Sequence, residues 1–363
     1  MEKTRVLVVD DSVLMRTTIS HVLASDPDLE VAGVAANGRI ALAKMAQLRP
    51  HVVTLDFEMP EMDGLQTLAE LQAGYPNVPV IMLSALTLKG AAETLEALAR
   101  GAADYVGKPK GGDPASALGV LASELIPKIK IHAARARPRP VITAPSLRPA
   151  GTARRQGAPR LASAVCIGTS TGGPNALAAV IPALPAGLYA PLLIVQHMPP
   201  TFTRMLAERL SAQSPIPVRE GAEGMRVEPG QGYLAPGGFH MEVRRDGKGE
   251  YLHLSEDAPE NSCRPAVDVL LRSAASVYGP DLLSVILTGM GQDGMRGCVA
   301  AKAAGGAVLI QDEASCVVWG MPRAVHEAGL EDAVIPLCEM GKEIAARVRP
   351  CPAPPPREGT LVR

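Results

Sequence analysis

Short apolar runs alternate with longer segments of helical spacing through the first third of the chain. The apolar runs cover residues 5–10, 31–35, 51–55, 78–83 and 103–106, and the helical segments cover residues 12–25, 37–48, 63–74, 89–100 and 113–132. A strand followed by a helix, repeated five times, is typical of a parallel sheet with helices on both faces. The pattern therefore predicts a doubly wound α/β domain over residues 1–124.

The alternation stops in a stretch rich in proline and arginine. Residues 133–160 contain five prolines and seven arginines but no acidic residue. Such a composition buries too little apolar surface to offset the entropy lost on ordering. We therefore predict that residues 125–160 form an extended basic linker. Attraction of an acidic partner is an alternative role, and we favour a solvated linker.

The alternation of strands and helices resumes at residue 161. The apolar runs cover residues 163–168, 192–196, 232–235, 283–288 and 306–310, and the helical segments cover residues 174–182, 201–211, 265–277, 293–304 and 321–329. Residues 239–254 differ, because two alternating strands flank Arg-Asp-Gly-Lys-Gly, which is a hairpin signal. We predict a Rossmann-like, mostly parallel sheet with an antiparallel hairpin insertion over residues 161–346. A proline-rich, disordered tail follows over residues 347–363.

The composition narrows the class of protein further. Hydrophobic residues make up 47% of the chain and aromatic residues 3%, so small aliphatic side chains build the interior. The net charge of -1 gives no reason to expect nucleic-acid or membrane binding. None of the six cysteines forms a Cys-x-x-Cys pair, and the N-terminus lacks a secretory signal. We expect a cytoplasmic monomer with free thiols, no nucleic-acid partner and no membrane insertion.

Acidic and basic side chains follow the strands of the first predicted sheet. Asp10 and Asp11 end the first apolar run, Asp56 ends the third, Ser84 the fourth, and Lys108 follows the fifth. The carboxyl ends of parallel strands line one crevice, so these side chains converge there. Three converging carboxylates repel one another unless a cation lies among them, and oxygen ligands of this kind suit Mg²⁺.

This pocket has the parts of a phosphoryl-transfer site. Asp56 would be the nucleophile that forms an acyl phosphate, with the metal and Lys108 neutralising the transferring oxygens. Ser84 would donate a hydrogen bond to one of those oxygens. The alternative is that Asp10 and Asp11 cap a helix and Asp56 lies in a turn. That alternative holds for any one residue alone, but five matched residues at four strand ends argue against it.

Four motifs of the first domain resemble the receiver domain of two-component response regulators. They are VLVVDDS, TLDFEMPEMDG, MLSA and ADYVGKP, and the resemblance covers residues 4 to about 124. It implies a flavodoxin-like fold and phosphorylation of Asp56 by a histidine kinase. It also implies Mg²⁺ held by Asp11, Asp56 and the backbone carbonyl of Glu58, with Asp10 acting directly or through water.

The same resemblance implies a switch in the first domain. Tyr105 would turn inward as Ser84 moves onto the phosphate, which is a shift between two conformational states. A tyrosine that is buried for packing is the alternative for Tyr105, and the sequence leaves the two open.

A glycine-rich turn opens the second domain. Residues 168–174 (GTSTGGP) follow a predicted strand and begin a helix. The Gly-x-Ser-x-Gly spacing around Ser170 matches a nucleophile elbow. A phosphate-binding loop at a helix N-terminus is the alternative, although the lysine of a P-loop is missing.

Two further strand ends favour nucleophilic catalysis. His197 follows the run LLIVQ, and Asp293 follows the run LLSVILTG in the loop MGQDG. A nucleophile, a general base and an acid that orients the base are the components of a Ser-His-Asp triad. Asp312 competes with Asp293 for the role of the acid, while surface or packing roles are expected for the histidines His240, His253 and His326.

Hydrolysis through Ser170 needs backbone N–H donors for the developing oxyanion. Thr171 lies at the start of the predicted helix, and Met290 lies in the glycine-rich loop beside Asp293. We therefore predict that the oxyanion hole is formed by the N–H groups of Thr171 and Met290.

Motifs of the second domain are similar to the chemotaxis protein-glutamate methylesterase family. They are IGTSTGGP, VQHMPPTFT, YLAPGG, LTGMGQDG and QDEASCVVWGMP, within residues 161 to about 346. The resemblance implies hydrolysis of glutamate methyl esters on chemoreceptors and deamidation of receptor glutamines, with no cofactor for the esterase. Ser170, His197 and Asp293 match the triad positions of the family.

Two other functions remain open at this point. The same catalytic groups could act on another ester or amide in a sensory pathway other than flagellar chemotaxis. The second domain could also be a non-catalytic module that binds anions or docks a partner through residues 168–173.

Overall fold

The computed structural model describes residues 3–108, 114–136 and 161–349. They form two compact units, each built around its own parallel sheet. The part of the predicted linker beyond residue 136 and the part of the predicted tail beyond residue 349 lie outside the described residues. Within the described residues, no helix is both long enough and apolar enough to cross a membrane.

The first unit contains a five-stranded sheet. Its strands are Thr4–Val9 (β1), Leu29–Ala35 (β2), Val52–Asp56 (β3), Val80–Ser84 (β4) and Asp104–Gly107 (β5). Its helices are Val13–Ala24 (α1), Gly38–Leu48 (α2), Gly64–Gly74 (α3), Leu88–Ala99 (α4) and Pro114–Ala136 (α5). The spatial order is β2-β1-β3-β4-β5, and every neighbouring pair is parallel. The predicted doubly wound architecture is confirmed.

Polar residues cap the first four helices at their N-termini. The side chains of Ser12, Asn37, Asp63 and Thr87 each accept a hydrogen bond from a backbone N–H in the first turn of the helix that follows. Such a cap satisfies a donor that the helix itself cannot pair. The caps therefore fix where each helix begins, a short distance beyond the carboxyl end of the preceding strand.

Helix α5 extends the first unit beyond the predicted boundary. Leu121, Leu125, Ile129 and Ala133 are buried and belong to the same core cluster as the residues of β1. Their spacing of four continues one apolar face of the helix to its last turn. The predicted linker start at residue 125 is therefore wrong. The packed face of α5 reaches at least Ala133.

The second unit contains a seven-stranded sheet. Its strands are Ala164–Thr169 (β6), Leu192–Gln196 (β7), Val218–Glu220 (β8), Gly232–Leu234 (β9), Leu282–Ile286 (β12), Ala307–Gln311 (β13) and Ala333–Ile335 (β14). They are arranged in the order β14-β13-β12-β6-β7-β9-β8, and all pairs are parallel. The short edge strands β8 and β14 were not predicted.

An antiparallel hairpin and six α-helices accompany the seven-stranded sheet among the described residues. The hairpin consists of His240–Asp246 (β10) and Gly249–Ser255 (β11), which confirms the predicted insertion. The helices are Gly173–Val180 (α6), Phe202–Gln213 (α7), Val267–Tyr278 (α8), Met295–Ala303 (α9), Met321–Glu327 (α10) and Leu337–Arg347 (α11). Helix α11 was not among the helical segments predicted from the sequence.

The hairpin packs against α8. Met241, Val243 and Leu252 of the hairpin are buried in the same cluster as Leu270 and Leu271 of α8. Residues of the central strands, such as Cys166 and Leu193, belong to the same cluster. This packing fixes the N-terminus of α8, which lies close to the carboxyl edge of the sheet and contributes to the site described below.

The two ends of the second unit lie side by side. The N–H of Ala162 donates to the carbonyl of Arg347 at 2.7 Å, and the N–H of Arg349 donates to the carbonyl of Ala162 at 3.0 Å. Ala162 and Val348 form an isolated parallel bridge. The chain therefore begins and ends this unit at neighbouring positions.

Replacement of Leu125 by alanine tests the extended boundary of the first unit. Leu125 is fully buried, so Leu125→Ala is expected to lower the opening free energy of the first sheet by about 2–5 kcal/mol. Hydrogen exchange of amides in residues 3–108 of the full chain measures this change. Leu88→Ala, at a leucine that is 64% exposed, is the matched control and should cost less than about 0.5 kcal/mol. Equal exchange in both variants would contradict the boundary.

Candidate functional site

Three carboxylates meet at the carboxyl edge of the first sheet. Asp10 and Asp11 follow β1, and Asp56 ends the neighbouring strand β3. Each offers an oxygen, and these oxygens lie within 4.8 Å of one another. Asp10 and Asp56 are buried, while Asp11 is exposed. An oxygen-only donor set of this kind fits Mg²⁺.

Lys108 completes the acidic pocket. Its Nζ lies 2.6 Å from Oδ1 of Asp56 and 3.0 Å from Oδ2 of Asp10. Burial raises the pKa of Asp56, an effect that Lys108 only partly offsets and to which the charge of Asp10 adds. Burial alone would lower the pKa of Lys108, but the two carboxylates outweigh it and raise that pKa. Lys108 is therefore a permanent cation beside the predicted phosphorylation site.

The carbonyl of Ser84 accepts from the N–H of Lys108 at 2.7 Å, but the Ser84 hydroxyl has its partners outside the acidic pocket. Its hydroxyl donates to the carbonyl of Gly90 at 3.1 Å and accepts from Oγ1 of Thr94 at 2.7 Å. Both partners belong to α4, so the hydroxyl is directed toward the helix. The predicted contact of Ser84 with a phosphate requires these hydrogen bonds to change.

The side chains of Tyr105 and Glu58 have partners other than the three carboxylates. The ring of Tyr105 is buried, and Nζ of Lys128 lies 5.0 Å from its centroid. The carboxylate of Glu58 pairs with Lys89 at 2.6 Å on the surface, which leaves the backbone carbonyl as the predicted ligand. The structure thus brings the side chains of Asp10, Asp11, Asp56 and Lys108 together, while the side chains of Ser84 and Tyr105 have other partners.

A second set of predicted residues meets at the carboxyl edge of the second sheet. Strands β6, β7 and β12 are adjacent, with β6 in the middle. Thr169 of β6 pairs with Gln196 of β7. Ser170 and His197 are the next residues along their chains, so they leave the sheet side by side. Asp293 follows β12 on the other side of β6.

The Ser170 turn is tied to both neighbouring strands through its backbone. The N–H of Ser170 donates to the carbonyl of Thr288 at 3.0 Å. The carbonyl of Ser170 accepts from Nε2 of Gln196 at 2.9 Å, and the same amide nitrogen donates to the carbonyl of His197 at 3.1 Å. The buried Gln196 therefore holds the predicted nucleophile and the predicted base in one register.

Two glycines make this close packing possible. A Cβ atom on Gly168 would lie 2.4 Å from Cγ1 of Val267, and one on Gly289 would lie 2.9 Å from Cβ of Ser170. Both distances are far below van der Waals contact. The glycines are required because neighbouring chain segments approach them, which holds Ser170 between two strands and the start of α8.

His197 and Asp293 form a buried ion pair. The Nε2 atom of His197 lies 2.8 Å from Oδ2 of Asp293, and the imidazole is 11% exposed. Burial opposes protonation, but hydrogen bonds to Asp293 and Cys263 outweigh it and raise the pKa of His197 to about 9. Burial likewise opposes ionisation of Asp293, yet His197 and backbone N–H donors lower the pKa of Asp293.

The backbone at the start of α8 also holds Asp293. The N–H of Val267 donates to Oδ2 at 2.6 Å, and the N–H groups of Asp268 and Gly294 donate to Oδ1 at 3.1 Å and 3.0 Å. A helix N-terminus stabilises negative charge through these free donors. The carboxylate is therefore fixed in orientation, with Oδ2 directed at the imidazole.

The hydroxyl of Ser170 is not yet joined to His197. Within the described residues, no hydrogen bond links the Ser170 hydroxyl to the imidazole. The Nε2 atom of His197 is engaged by Asp293, and Nδ1 lies 3.5 Å from Sγ of Cys263. Contacts between nucleophile and base often tighten only when substrate binds. With Nε2 engaged by Asp293, the predicted proton transfer from Ser170 would go to Nδ1, and it requires the neutral form of the imidazole.

The other aspartate and histidines considered for the triad have different partners. Asp312 accepts from the backbone N–H of Ser315 at 3.3 Å and also from its hydroxyl, so it does not orient His197. His253 pairs with Glu223 and His326 pairs with Glu331, both at the surface. His240 is buried, and both of its ring nitrogens bind backbone groups.

The two predicted oxyanion donors lie on loops beside Ser170. Thr171 is buried and directly follows Ser170, while Met290 follows Gly289, which packs against Ser170. The carbonyl of Gly289 accepts from the N–H groups of Gly320 and Met321 at 3.0 Å and 2.9 Å, which holds the Met290 loop in place. The participation of Thr171 and Met290 in an oxyanion hole stays a prediction.

Two residues that contact the triad positions were not predicted from the sequence. Nδ2 of Asn261 donates to Oδ1 of Asp293 at 2.9 Å, and Sγ of Cys263 lies beside Nδ1 of His197. A signal existed, because polar residues directly precede α8, whose start binds Asp293. The sequence does not show which of these polar side chains is directed inward.

Comparison with protein-family models divides the chain between two families. The model of the response regulator receiver domain matches residues 6–114, and the model of the CheB methylesterase matches residues 165–344. These ranges contain the acidic pocket and the Ser170 site respectively.

Relatives that match nearly the whole chain carry one name. A protein-glutamate methylesterase/protein-glutamine glutaminase of Trichodesmium erythraeum is 46% identical over 354 residues, which is 96% of this chain and 100% of that protein. A protein of the same name from Nocardioides is 47% identical, over 96% of each chain. The crystal structure of the Thermotoga maritima CheB methylesterase catalytic domain is 42% identical, with a TM-score of 0.51, and covers 52% of this chain and 99% of that one.

Fold, sites and comparisons together define a response regulator whose receiver domain is joined to a hydrolase domain. The chain belongs to the protein-glutamate methylesterase/protein-glutamine glutaminase (CheB) family.

Removal of the Asp293 charge is expected to lower the pKa of His197. Asp293 stabilises the protonated imidazole, so Asp293→Asn should move this pKa from about 9 toward or below 6.5. NMR titration of the histidine ring measures the change. Asp312→Asn is the matched control and should leave the value unchanged. If the pKa of His197 fell in the Asp312 variant and not in the Asp293 variant, Asp312 would be the acid that pairs with His197.

Proposed function

We propose that this chain is a phosphorylation-activated serine hydrolase that removes methyl groups from glutamate methyl esters of chemoreceptors and deamidates receptor glutamines. The buried His197–Asp293 pair, on the strand end next to Ser170, is the observation that carries the proposal. The names of the relatives support the choice of substrate.

The catalytic steps follow from the orientation of the imidazole. The step begins from the neutral imidazole: Ser170 attacks the ester carbonyl while Nδ1 of His197 accepts the hydroxyl proton, and Asp293 stabilises the resulting imidazolium. The backbone N–H groups of Thr171 and Met290 donate to the oxyanion. The proton passes to the leaving methoxide, methanol departs, and an acyl-enzyme remains. Water activated by His197 then releases glutamate, and ammonia takes the place of methanol for a glutamine.

The receiver domain regulates this activity through Asp56. Asp10, Asp11, Asp56 and the carbonyl of Glu58 would hold Mg²⁺, which supplies positive charge for the phosphoryl oxygens. Lys108, already in contact with Asp56, pairs with the phosphate once it forms.

Ser84 and Tyr105 form the switch in this proposal. The Ser84 hydroxyl leaves Gly90 and Thr94 to bind the phosphate, and Tyr105 moves with it. The starting hydrogen bonds of Ser84 are neutral ones, whereas the new bond is charge-assisted and stronger. That difference in free energy drives the shift between the two states.

The proposal includes two partners and a location. A histidine kinase supplies the phosphoryl group, and methylated helices of chemoreceptors are the substrate. The enzyme works as a cytoplasmic monomer, and the esterase reaction needs no cofactor. Among the described residues the cysteines are free, which agrees with a reducing compartment.

A non-catalytic anion-binding role for residues 168–173 explains fewer of the observed contacts than a hydrolase site does. Such a role does not require a histidine oriented by a buried carboxylate. The ion pair is costly to bury, and its geometry matches that of a general base.

Ser170→Ala in the full chain is expected to reduce methanol release from methylated receptor at least about 10³-fold, because the acyl-enzyme can no longer form. Labelling by a fluorophosphonate probe should disappear as well. Ser276→Ala, on the exposed face of α8, is the control and should retain both properties. Retained activity in the Ser170 variant would sink the assignment. A panel of small esters, assayed in parallel, separates receptor specificity from general esterase activity.

Acetyl phosphate with Mg²⁺ is expected to raise methanol release by the wild-type chain about 5-fold or more. Asp56→Asn removes the acceptor carboxylate, so its rate should not respond. Asp28→Asn, at an exposed position, is the control and should respond as the wild type does. The measurement is the initial rate with and without the phosphodonor. Equal stimulation of the Asp56 variant would contradict regulation through this residue.

A further inference from the structure

A tight turn at residues 260–263 lies against the His197–Asp293 pair. The N–H of Glu260 donates to the carbonyl of Cys263 at 3.1 Å, and the N–H of Cys263 donates to the carbonyl of Glu260 at 2.9 Å. The φ angles of Asn261 and Ser262 are 51° and 62°, in the left-handed region. Two successive left-handed residues define a type I′ turn. Asparagine is one of the few residues with a side chain that adopts this conformation readily.

The turn is anchored on both sides. Arg272 of α8 binds the carboxylate of Glu260 with two nitrogens, at 2.8 Å and 2.5 Å. His240 accepts from the N–H of Ala266 at 3.2 Å and donates to the carbonyl of Ala258 at 3.1 Å. One buried ring therefore binds the chain before and after the turn. These contacts fix the directions of the side chains at positions 261 and 263.

Asn261 links two carboxylates that would otherwise repel each other. Its Nδ2 donates to Oδ1 of Asp293 at 2.9 Å and to Oδ2 of Asp268 at 3.0 Å. Oδ1 of Asp268 accepts from the N–H of Gly297 at 2.7 Å, so both acids have a backbone anchor as well. An amide has two hydrogens on one nitrogen and can serve both acids without adding charge.

The same turn contacts the other member of the pair. Sγ of Cys263 lies 3.5 Å from Nδ1 of His197, on the side of the ring away from Asp293. The imidazole is thus bounded by Asp293 on one edge and by Cys263 on the other. A single turn therefore reaches the acid through position 261 and the base through position 263.

We propose that Asn261 is a positioning residue of the esterase site, which holds Asp293 toward His197 by bridging it to Asp268. The inference rests on the proposed hydrolase function. Asn261 touches neither the substrate nor the reacting atoms in that mechanism. Its effect is on the orientation of the acid and hence on the rate of the chemical step.

The first test compares two glycine substitutions within the turn. Asn261→Gly removes the side-chain amide, and glycine readily adopts the left-handed backbone of that position. Ser262→Gly is the control, because Ser262 is exposed and its backbone is left-handed as well. With the full chain and methylated receptor, Asn261→Gly is expected to lower kcat about 10- to 100-fold with little change in KM. Ser262→Gly should retain the wild-type kcat. Equal kcat values for the two variants would overturn the proposal.

A pH profile separates positioning from a merely structural role. Asn261→Asp keeps the shape of the side chain but places a third carboxylate against Asp268 and Asp293. At low pH a protonated carboxyl at position 261 can still donate to Asp293, and this donor is lost on ionisation. The ratio of variant to wild-type kcat is therefore expected to fall as pH rises from about 5 to about 8. A ratio that is independent of pH would overturn the proposal even if Asn261→Gly were slow.

Failure of the inference can be distinguished from failure of the proposed function. Methanol release that persists in Ser170→Ala contradicts the function, whatever the turn variants do. Release that depends on Ser170 but is unaffected by Asn261→Gly contradicts the positioning role alone.

Discussion

The buried carboxylate of Asp293 is the constraint on which the architecture of the hydrolase site depends. Removing a carboxylate from water costs several kcal/mol unless partners replace the lost hydration. Five hydrogen bonds do so here, from three backbone N–H groups, from Asn261 and from His197. Because these donors come from the residue after β7, from residues 261–268 and from the loop after β12 that carries Asp293 itself, satisfying one charge joins three parts of the chain.

Asn261 and Gln196 show how neutral amides organise charged groups. Gln196 joins the backbone carbonyls of the predicted nucleophile and base, and Asn261 joins two acids. Neither adds a charge that would compete with the His197–Asp293 pair. The acidic pocket of the first sheet has the opposite design, because Lys108 and the expected cation offset its carboxylates directly. The two sheet edges thus use different means to tolerate buried charge.

Strand ends explain what the sequence could predict. Asp56, Ser170 and His197 follow apolar runs, and the parallel arrangement of those runs brings their ends to one edge. Asn261 escaped prediction because its direction depends on anchors distant in the sequence, such as Arg272. The state of the Ser84 hydroxyl was equally inaccessible, since it depends on packing against α4. The helical spacing of residues 113–132 anticipated most of α5, but the boundary at residue 124 followed the extent of the receiver resemblance and divided the buried face of that helix.

The bridge between Ala162 and Val348 places the two ends of this chain segment next to each other. A unit whose two ends are neighbours can be excised, inserted into a loop of another protein or circularly permuted with little change to its core. A graft of residues 162–348 would therefore enter and leave its host at neighbouring positions, and short connections would be enough on both sides.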